Sequence, residues 1–422
     1  MHKLQRADQR LGWFACAALQ PVRWLRPLQR LAAPRQPSGR VLLVKFWGIG
    51  SLQLLTPAVR TLRERHPGAE LVLLTLSRNR EMAQTLGVFD RLLTLDVDSP
   101  SWIVVLSRIA RAVAALRRER FDSVYDFEFF TRFSSLLTLL TGADDTHGFA
   151  ASKVWRGSFH RRTVPFNRYW HVARNFRVLA GDDDGKPVGV GDVDALRFEA
   201  GDEANVEGLL ATAGLESGLP YAVLDPNAGA LSLERRWPAT RFGELATRLV
   251  REDGLSVVLI GSGGERAYTE GVRDWCEPDT QSSVVNLAGQ LTAPGLAALL
   301  ARASVVVSND SGPMHLAAAL GAPTIGLFGP ETPIMYAPLG PKALPLYKPT
   351  PCSPCINVHD NKFTSCMWGH PHCLMNLEVN EVLASARRLV SGAIYELKPA
   401  PRQERPERPP IPAPLPRRTR RF

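Results

Sequence analysis

Two α/β halves of Rossmann type, facing each other across a central cleft, are what this sequence predicts, on three observations. The first is size and composition. The chain has 422 residues, of which 45% are hydrophobic and 22% charged, enough for two core-bearing domains of ordinary soluble character. The second is alternation: short apolar runs rich in β-branched residues are followed by segments with helical spacing, the order that builds parallel sheets. The third is that this alternation stops in a Gly- and Asp-rich stretch near 181–218 and then starts again.

The first half, 40–200, opens with VLLVK (41–45), broken by GIG at 48–50 and followed by a helical pattern over 54–66. ELVLLTL (70–76), RLLTLD (91–96) and SVYDF (123–127) read as its further strands. Between the last two, 101–119 has the spacing of an amphipathic helix. Ile103, Val104, Leu106, Ile109, Val113 and Leu116 are expected on its inner face. The second half, 201–375, has strand patterns at 221–225, 256–261, 283–289, 304–310 and 323–329, with helices at 242–252 and 293–303 among them. In such sheets ligands bind beyond the carboxyl ends of the strands.

The net charge of +10 belongs to the ends. Residues 1–40 carry +7 and residues 398–422 carry +6, which leaves 41–397 at −3. The extension 1–39 interleaves Trp13, Phe14, Leu19, Trp24, Leu25 and Leu28 with Arg23, Arg26 and Arg30 over 11–32, interrupted by Pro21 and Pro27. That is the composition of a helix lying on an anionic bilayer surface. A packed extension is the plainer reading. A secretory signal fits less well, since basic residues follow the short apolar run. The tail 398–422 has eight prolines in 25 residues and is expected to be disordered. It has no aromatic platform beside its arginines, so nucleic acid is not an expected partner. No run of 18 apolar residues occurs, so no spanning helix is expected. Six cysteines are too few for a disulfide scaffold.

Five segments carry chemistry-bearing residues. Ser308-Asn-Asp-Ser-Gly-Pro-Met-His315 is a strand end turning into a helix. Asp310, Ser311 and Gly312 lie in the turn, and exposed N–H groups there make an anion site with His315 one turn in. A plain capped helix start, with Asp310 or Ser311 as N-cap, is the alternative. Thr332 lies in the neighbouring turn Gly329-Pro-Glu-Thr332. Arg235 and Arg236 follow the first strand of the second half and could clamp a diphosphate, or be a solvated pair beside Trp237. Gly261-Ser-Gly-Gly-Glu265 is a strand-to-helix turn whose Glu265 could take ribose hydroxyls, or a simple tight turn. Lys45-Phe-Trp-Gly-Ile-Gly50-Ser51 turns tightly into a helix but matches no P-loop or dinucleotide fingerprint. Finally, Cys352, Cys355, Cys366 and Cys373, with His359, His370 and His372 among them, could hold a structural zinc. Reduced thiols packed or redox-paired in a loop are the alternative.

Taken together these pieces resemble glycosyltransferase family 9, the heptosyltransferases that move heptose from ADP-heptose to the lipopolysaccharide inner core. The resemblance covers about 40–395 and rests on VLLVKFWGIG, HVARNFRVLAG (171–181), RRWPATRFGELATRL, the Cys-bearing loop and, most specifically, SNDSGPMHLAAALGAPTIGLFGPETP. It implies a GT-B fold with an acceptor domain first and a nucleotide-sugar domain second, and a last helix (376–397) packing back on the first. It implies that Asp310, Ser311, Gly312 and His315 hold the diphosphate, that Arg235 faces it, and that Glu265 lies near the ribose. It implies inversion at the anomeric centre without a metal, a glycolipid acceptor, and work at the cytoplasmic face of the inner membrane. One position departs from the family: its usual base, an Asp after Gly, is Ser51 here. A serine hydroxyl has no useful basicity near neutral pH. Asp126 or Glu128, at the end of strand 123–127, could supply the carboxylate. Otherwise the chain binds nucleotide-sugar without efficient transfer, or uses a less demanding acceptor.

Overall fold

The computed structural model describes residues 2–21, 38–150, 154–216, 218–229, 232–356 and 366–391. The tail 398–422, His359 and most of the second half of the basic extension lie outside the described residues.

Each half is built on a six-stranded sheet in which every pairing is parallel. The first sheet has β1 (Arg40–Val44), β2 (Glu70–Leu76), β3 (Arg91–Leu95), β4 (Ser123–Asp126), β5 (Asp145–Ala150) and β6 (Arg162–Pro165), in the order β3-β2-β1-β4-β5-β6. The second has β7 (Tyr221–Asp225), β8 (Ser256–Leu259), β9 (Val284–Asn286), β10 (Val305–Asn309), β11 (Thr324–Phe328) and β12 (Ala343–Tyr347), in the order β12-β11-β10-β7-β8-β9. Strands such as LLV and VVV are buried on both faces, which is why they read as unbroken apolar runs. In each sheet the chain steps outward over three strands and then returns to the other side of the first. The order reverses between β1 and β4, and again between β7 and β10. Those switch points are where a crevice opens beyond the strand ends.

Four features were not anticipated. β6 and β12 are short or only half-buried, and β5 (DTHGFA) is buried but polar, so their patterns are weak. The Gly/Asp-rich linker contains helix Ala200–Thr212, opened by a reciprocal Glu199/Asp202 capping box. The last described helix, Val379–Val390, does not return to the first half as the resemblance implied. Val379, Val382, Leu383 and Ala386 are buried in one cluster with Trp237, Phe242 and Leu327 of the second half. Arg387 also pairs there with Glu252 and Asp253. Lastly, helix Trp102–Glu119 buries only Val105 and Leu116. Ile103, Val104 and Leu106, expected inside, face outward.

The two halves are in contact. The largest apolar cluster contains residues of both sheets. Helix Ala293–Ala301 packs on helix Arg80–Leu86, where Glu81 accepts the Ala293 N–H at 3.1 Å. His171 forms a second link. Its Nδ1 accepts the Ala173 N–H (3.3 Å) and caps helix Val172–Ala180, which leaves Nε2 to donate to Ala337 O at 3.1 Å.

Candidate active site

At the first switch point the chain leaves β1 through Lys45, and Gly48 takes a φ of 85° before helix Ile49–Gln53. Only glycine adopts that region without strain. Glu128, just past β4, organises this turn from beneath. Its Oε1 accepts Lys45 Nζ at 2.8 Å and the Phe46 and Trp47 N–H groups at 2.7 and 2.9 Å. Lys45 and Glu128 are both buried. The other oxygen, Oε2, is buried and has no hydrogen-bond partner among the described residues.

Asp126 is placed differently. Its carboxylate accepts Ser134 Oγ (3.0 Å), His160 Nε2 (3.1 Å), the Glu128 N–H (3.1 Å) and the Arg156 guanidinium. Burial pushes its pKa up, but Arg156 and His160 outweigh that and hold it below the ordinary value. A carboxylate with this many donors is a poor proton acceptor. Sequence reasoning paired Asp126 with Glu128 as base candidates. The structure separates them, making Asp126 an anchor for Arg156 and leaving Glu128 with a free oxygen.

At the second switch point, helix Gly312–Ala319 starts with Pro313 in its first turn, and no side chain caps it. The two expected caps are engaged elsewhere. Ser311 Oγ donates to Asp225, as does Ser308 Oγ at 3.1 Å. Asp310 receives Arg235, whose Nη1 donates to Asp310 O at 2.7 Å and Oδ2 at 3.1 Å, while Nη2 reaches Ala228 O. The open N–H groups of this helix start therefore face the crevice with a guanidinium beside them. That is the arrangement of an anion site.

Around it stand the other candidates. Arg236 lies 3.8 Å over the Tyr268 ring and 3.6 Å from Glu265 Oε1. Among the described residues, neither Arg235 Nε nor Arg236 Nε has a hydrogen-bond partner. The second oxygen of Glu265 accepts the Ser262 N–H (3.0 Å) and Oγ (2.6 Å) in a capping box, so its local role is to shape the turn. Thr332 Oγ1 caps helix Pro333–Tyr336 by accepting the Ile334 N–H at 3.2 Å. His315 is buried, its Nδ1 is unpartnered, and burial pushes its pKa down to about 4, so it is neutral.

The two sites meet across the cleft. A Cβ on Gly50 would stand 2.7 Å from His315 Cδ2 and 3.1 Å from Gly312 Cα. Ser51 follows Gly50 on the same short helix and so lies beside the nucleotide-half helix start. Tyr336 reports the same convergence. Burial drives its hydroxyl pKa well above the ordinary value, and Glu331, Asp310 and Glu128 of the opposite half add to this against Arg235.

Asp225, Lys45, Arg156, His160 and His171 were not singled out as site residues. A charged residue closing a buried strand was the signal available for Asp225 in YAVLD and for Lys45 in VLLVK. Burial raises Asp225 to about 6, with its hydroxyl donors opposing.

The cysteine loop rests on the turn after β11. Cys355 and Ile356 N–H groups donate to Pro330 O at 3.0 and 2.9 Å. Cys352, Cys355, Cys366 and Cys373 form no disulfide among the described residues. Burial raises Cys373 to about 11, with the Cys355 and Cys352 thiols adding. Among the described residues no group of three or more His, Cys, Asp or Glu side chains is placed to hold a metal ion.

Comparison with known proteins agrees with the two-half fold. Residues 109–363 match the family model of glycosyltransferase family 9 (heptosyltransferase). Lipopolysaccharide heptosyltransferase 2 of Escherichia coli K12 is 24% identical over 72% of this chain and 86% of its own length. Lipooligosaccharide heptosyltransferase 2 of Haemophilus influenzae is 38% identical, but the match spans 26% of this chain and 31% of that protein. The solved E. coli ADP-heptose lipopolysaccharide heptosyltransferase II shares the fold, with a TM-score of 0.67 at 21% identity, covering 84% of this chain and 99% of that one. With a GT-B architecture and a family match over more than half its length, the chain belongs to glycosyltransferase family 9, the heptosyltransferase family.

Proposed function

We propose that this chain transfers a heptose from ADP-heptose to the inner core of lipopolysaccharide, or to a related envelope glycolipid, with inversion and without a metal. One observation carries the reading. An uncapped helix start with Arg235 beside it meets, through the close approach of Gly50 to Gly312 and His315, the turn that the buried carboxylate of Glu128 organises. In the proposed step an acceptor hydroxyl gives its proton to Glu128 Oε2 and attacks the anomeric carbon from the side opposite the nucleotide. The bond from that carbon to the diphosphate oxygen breaks, and ADP leaves with its new charge facing Arg235, Arg236 and the helix start. Fixed dipoles and guanidinium groups stabilise such a leaving group more in the transition state than in the ground state. Glu128 takes the place in this reaction that Ser51 cannot fill. Lys45 and the two backbone N–H groups fix its other oxygen, so that the free one is held in place.

A glycolipid acceptor places the enzyme at the cytoplasmic face of the inner membrane, held there peripherally through the basic extension 1–40. No described helix is long and apolar enough to cross a membrane. The experiment is incubation with ADP-heptose and a Kdo-bearing lipid A acceptor, read by mass spectrometry. The reading predicts an acceptor heavier by one heptose and release of ADP. Tight ADP-heptose binding with no transfer to any core acceptor would favour the non-catalytic alternative.

A further inference from the structure

Helix Trp102–Glu119 presents to solvent a turn that the sequence pattern assigns to the core. Trp102, Ile103 and Leu106 are 45%, 80% and 60% exposed. Across helix Arg132–Thr141, which both elements contact, the N-terminal helix His2–Ala18 does the same. Its Leu11, Trp13 and Phe14 are 64%, 49% and 65% exposed. This helix is not loosely attached. Asp8 accepts the Arg132 and Phe133 N–H groups at 3.1 and 2.6 Å, Gly12 is close-packed on Arg132, and Cys16 is buried against Leu139 and Phe159. Its apolar residues are therefore held outward by a built contact. Exposed apolar groups gathered like this on a soluble surface mark an interaction site.

We propose that these two turns form one lipid-contact surface, with two points of insertion, that seats the carboxyl edge of the first sheet on an anionic bilayer. The proposal rests on the glycolipid acceptor of the function proposed above and adds where and how the protein meets the membrane. Charge identifies the occupant. Exposed Arg10 and Arg111 lie in the two helices, and Arg108 pairs with Asp96 at 2.7 Å. Asp98 is the exposed acid in the loop leading to the helix. Residues 1–40 as a whole hold eight Lys/Arg and one acid. Aromatic and aliphatic residues interleaved with arginine suit the headgroup boundary, where apolar parts insert and guanidinium groups meet phosphate.

Topology gives the orientation. Trp102 follows the carboxyl end of β3 through the loop 96–101, and Asp8 binds the start of the helix that leaves β4. Trp102 thus lies at the sheet edge that carries Gly48–Ser51 and Glu128, and the N-terminal helix is anchored at that edge through Asp8 before it runs along helix Arg132–Thr141 toward Leu139. A bilayer at that edge presents a lipid-borne acceptor to the first half while the second half carries the water-soluble donor.

The test is co-sedimentation of the full chain with phosphatidylglycerol/phosphatidylcholine vesicles and with phosphatidylcholine vesicles. Paired variants Ile103→Ser with Leu106→Ser, and Trp13→Ser with Phe14→Ser, remove exposed groups and leave the core intact. We expect binding to the anionic vesicles only, weakened by about tenfold or more for each pair. Transfer to a soluble, delipidated core acceptor should be unchanged in both variants. Equal binding to neutral vesicles, or wild-type binding by the Ile103/Leu106 variant, overturns the proposal. So does a wild-type dimer in lipid-free sedimentation that Ile103→Asp disperses, since the surface would then be a self-interface. Failure of the transferase reading appears in the soluble assay alone and leaves the vesicle result standing.

Discussion

Glu128 and Asp126 lie two residues apart at the end of one strand, yet their surroundings give them different work. Asp126 is consumed by four donors and Glu128 keeps Oε2 free. Asp126→Asn leaves the buried Arg156 without its counter-charge and should destabilise the fold by about 3–5 kcal/mol, measurable by denaturant unfolding. Arg235→Ala removes the guanidinium at the helix start and should weaken ADP binding roughly ten- to hundredfold by calorimetry. Arg235→Lys should not restore it, because an ammonium cannot span Asp310 O, Asp310 Oδ2 and Ala228 O at once. Arg235, Asp310 and His315 could be singled out as candidates from residue type and spacing, and the fold brings Arg235 onto Asp310 beside the helix that carries His315. The preference for Glu128 over Asp126 was not, because it depends on Arg156 and His160, which reach Asp126 only in the fold.

Among the elements, the helix start at Gly312 was read correctly as a strand-to-helix turn. The capped alternative fails because Ser311 and Asp310 turn to Asp225 and Arg235. Sequence spacing locates a cap residue but does not show what its side chain bonds. Helix Trp102–Glu119 teaches the reverse lesson. Its period marks a helix, but period alone does not reveal that the apolar turn at 102–106 has no neighbour to pack on. The closing helix was misplaced because an amphipathic face fits either half, and Trp237 Nε1–H to Leu377 O at 2.9 Å helps hold it to the second. At the switch points the close approach of the halves depends on two facing glycines. Gly50→Ala puts a Cβ within 2.7 Å of His315 and 3.1 Å of Gly312, so either side must move. We expect reduced transfer and a larger radius of gyration by X-ray scattering. Unchanged values for both would show that the cleft does not work closed.

For the whole molecule, buried histidines couple stability to pH. Burial pushes His171 and His315 down to about 4, with His315 adding to the shift at His171. The unfolded chain takes up these protons near pH ~6.5, so the histidine contribution is present above that value and lost as pH falls toward about 4. Asp225, raised to about 6, acts with opposite sign: its contribution is present at acid pH and is lost as pH rises through about 6. Two histidines outweigh one aspartate, so acidification from pH ~6.5 to ~4 should remove roughly 3 kcal/mol through these groups. Calorimetric Tm values across that range check this. His171→Asn, which keeps an N-cap side chain, should flatten the dependence. The two-half architecture itself was legible because alternating buried strands and helices repeat across both halves. What brings the halves together was not, since it runs through His171, Gly50 and Glu81, residues whose partners lie far away in the chain.

The most direct test of the account is the single-turnover rate of heptose transfer in the native chain and in Glu128→Gln, with ADP-heptose affinity measured alongside. Glutamine keeps an oxygen for Lys45, Phe46 and Trp47 but loses the basicity and the negative charge opposite buried Lys45, so the variant's folding is checked by denaturant unfolding alongside the rate. The account predicts measurable transfer by the native chain, a fall of about 10²–10⁴-fold in the variant, and unchanged donor affinity. A variant as fast as the native chain, or a native chain that transfers only once Ser51→Asp is introduced, would contradict it.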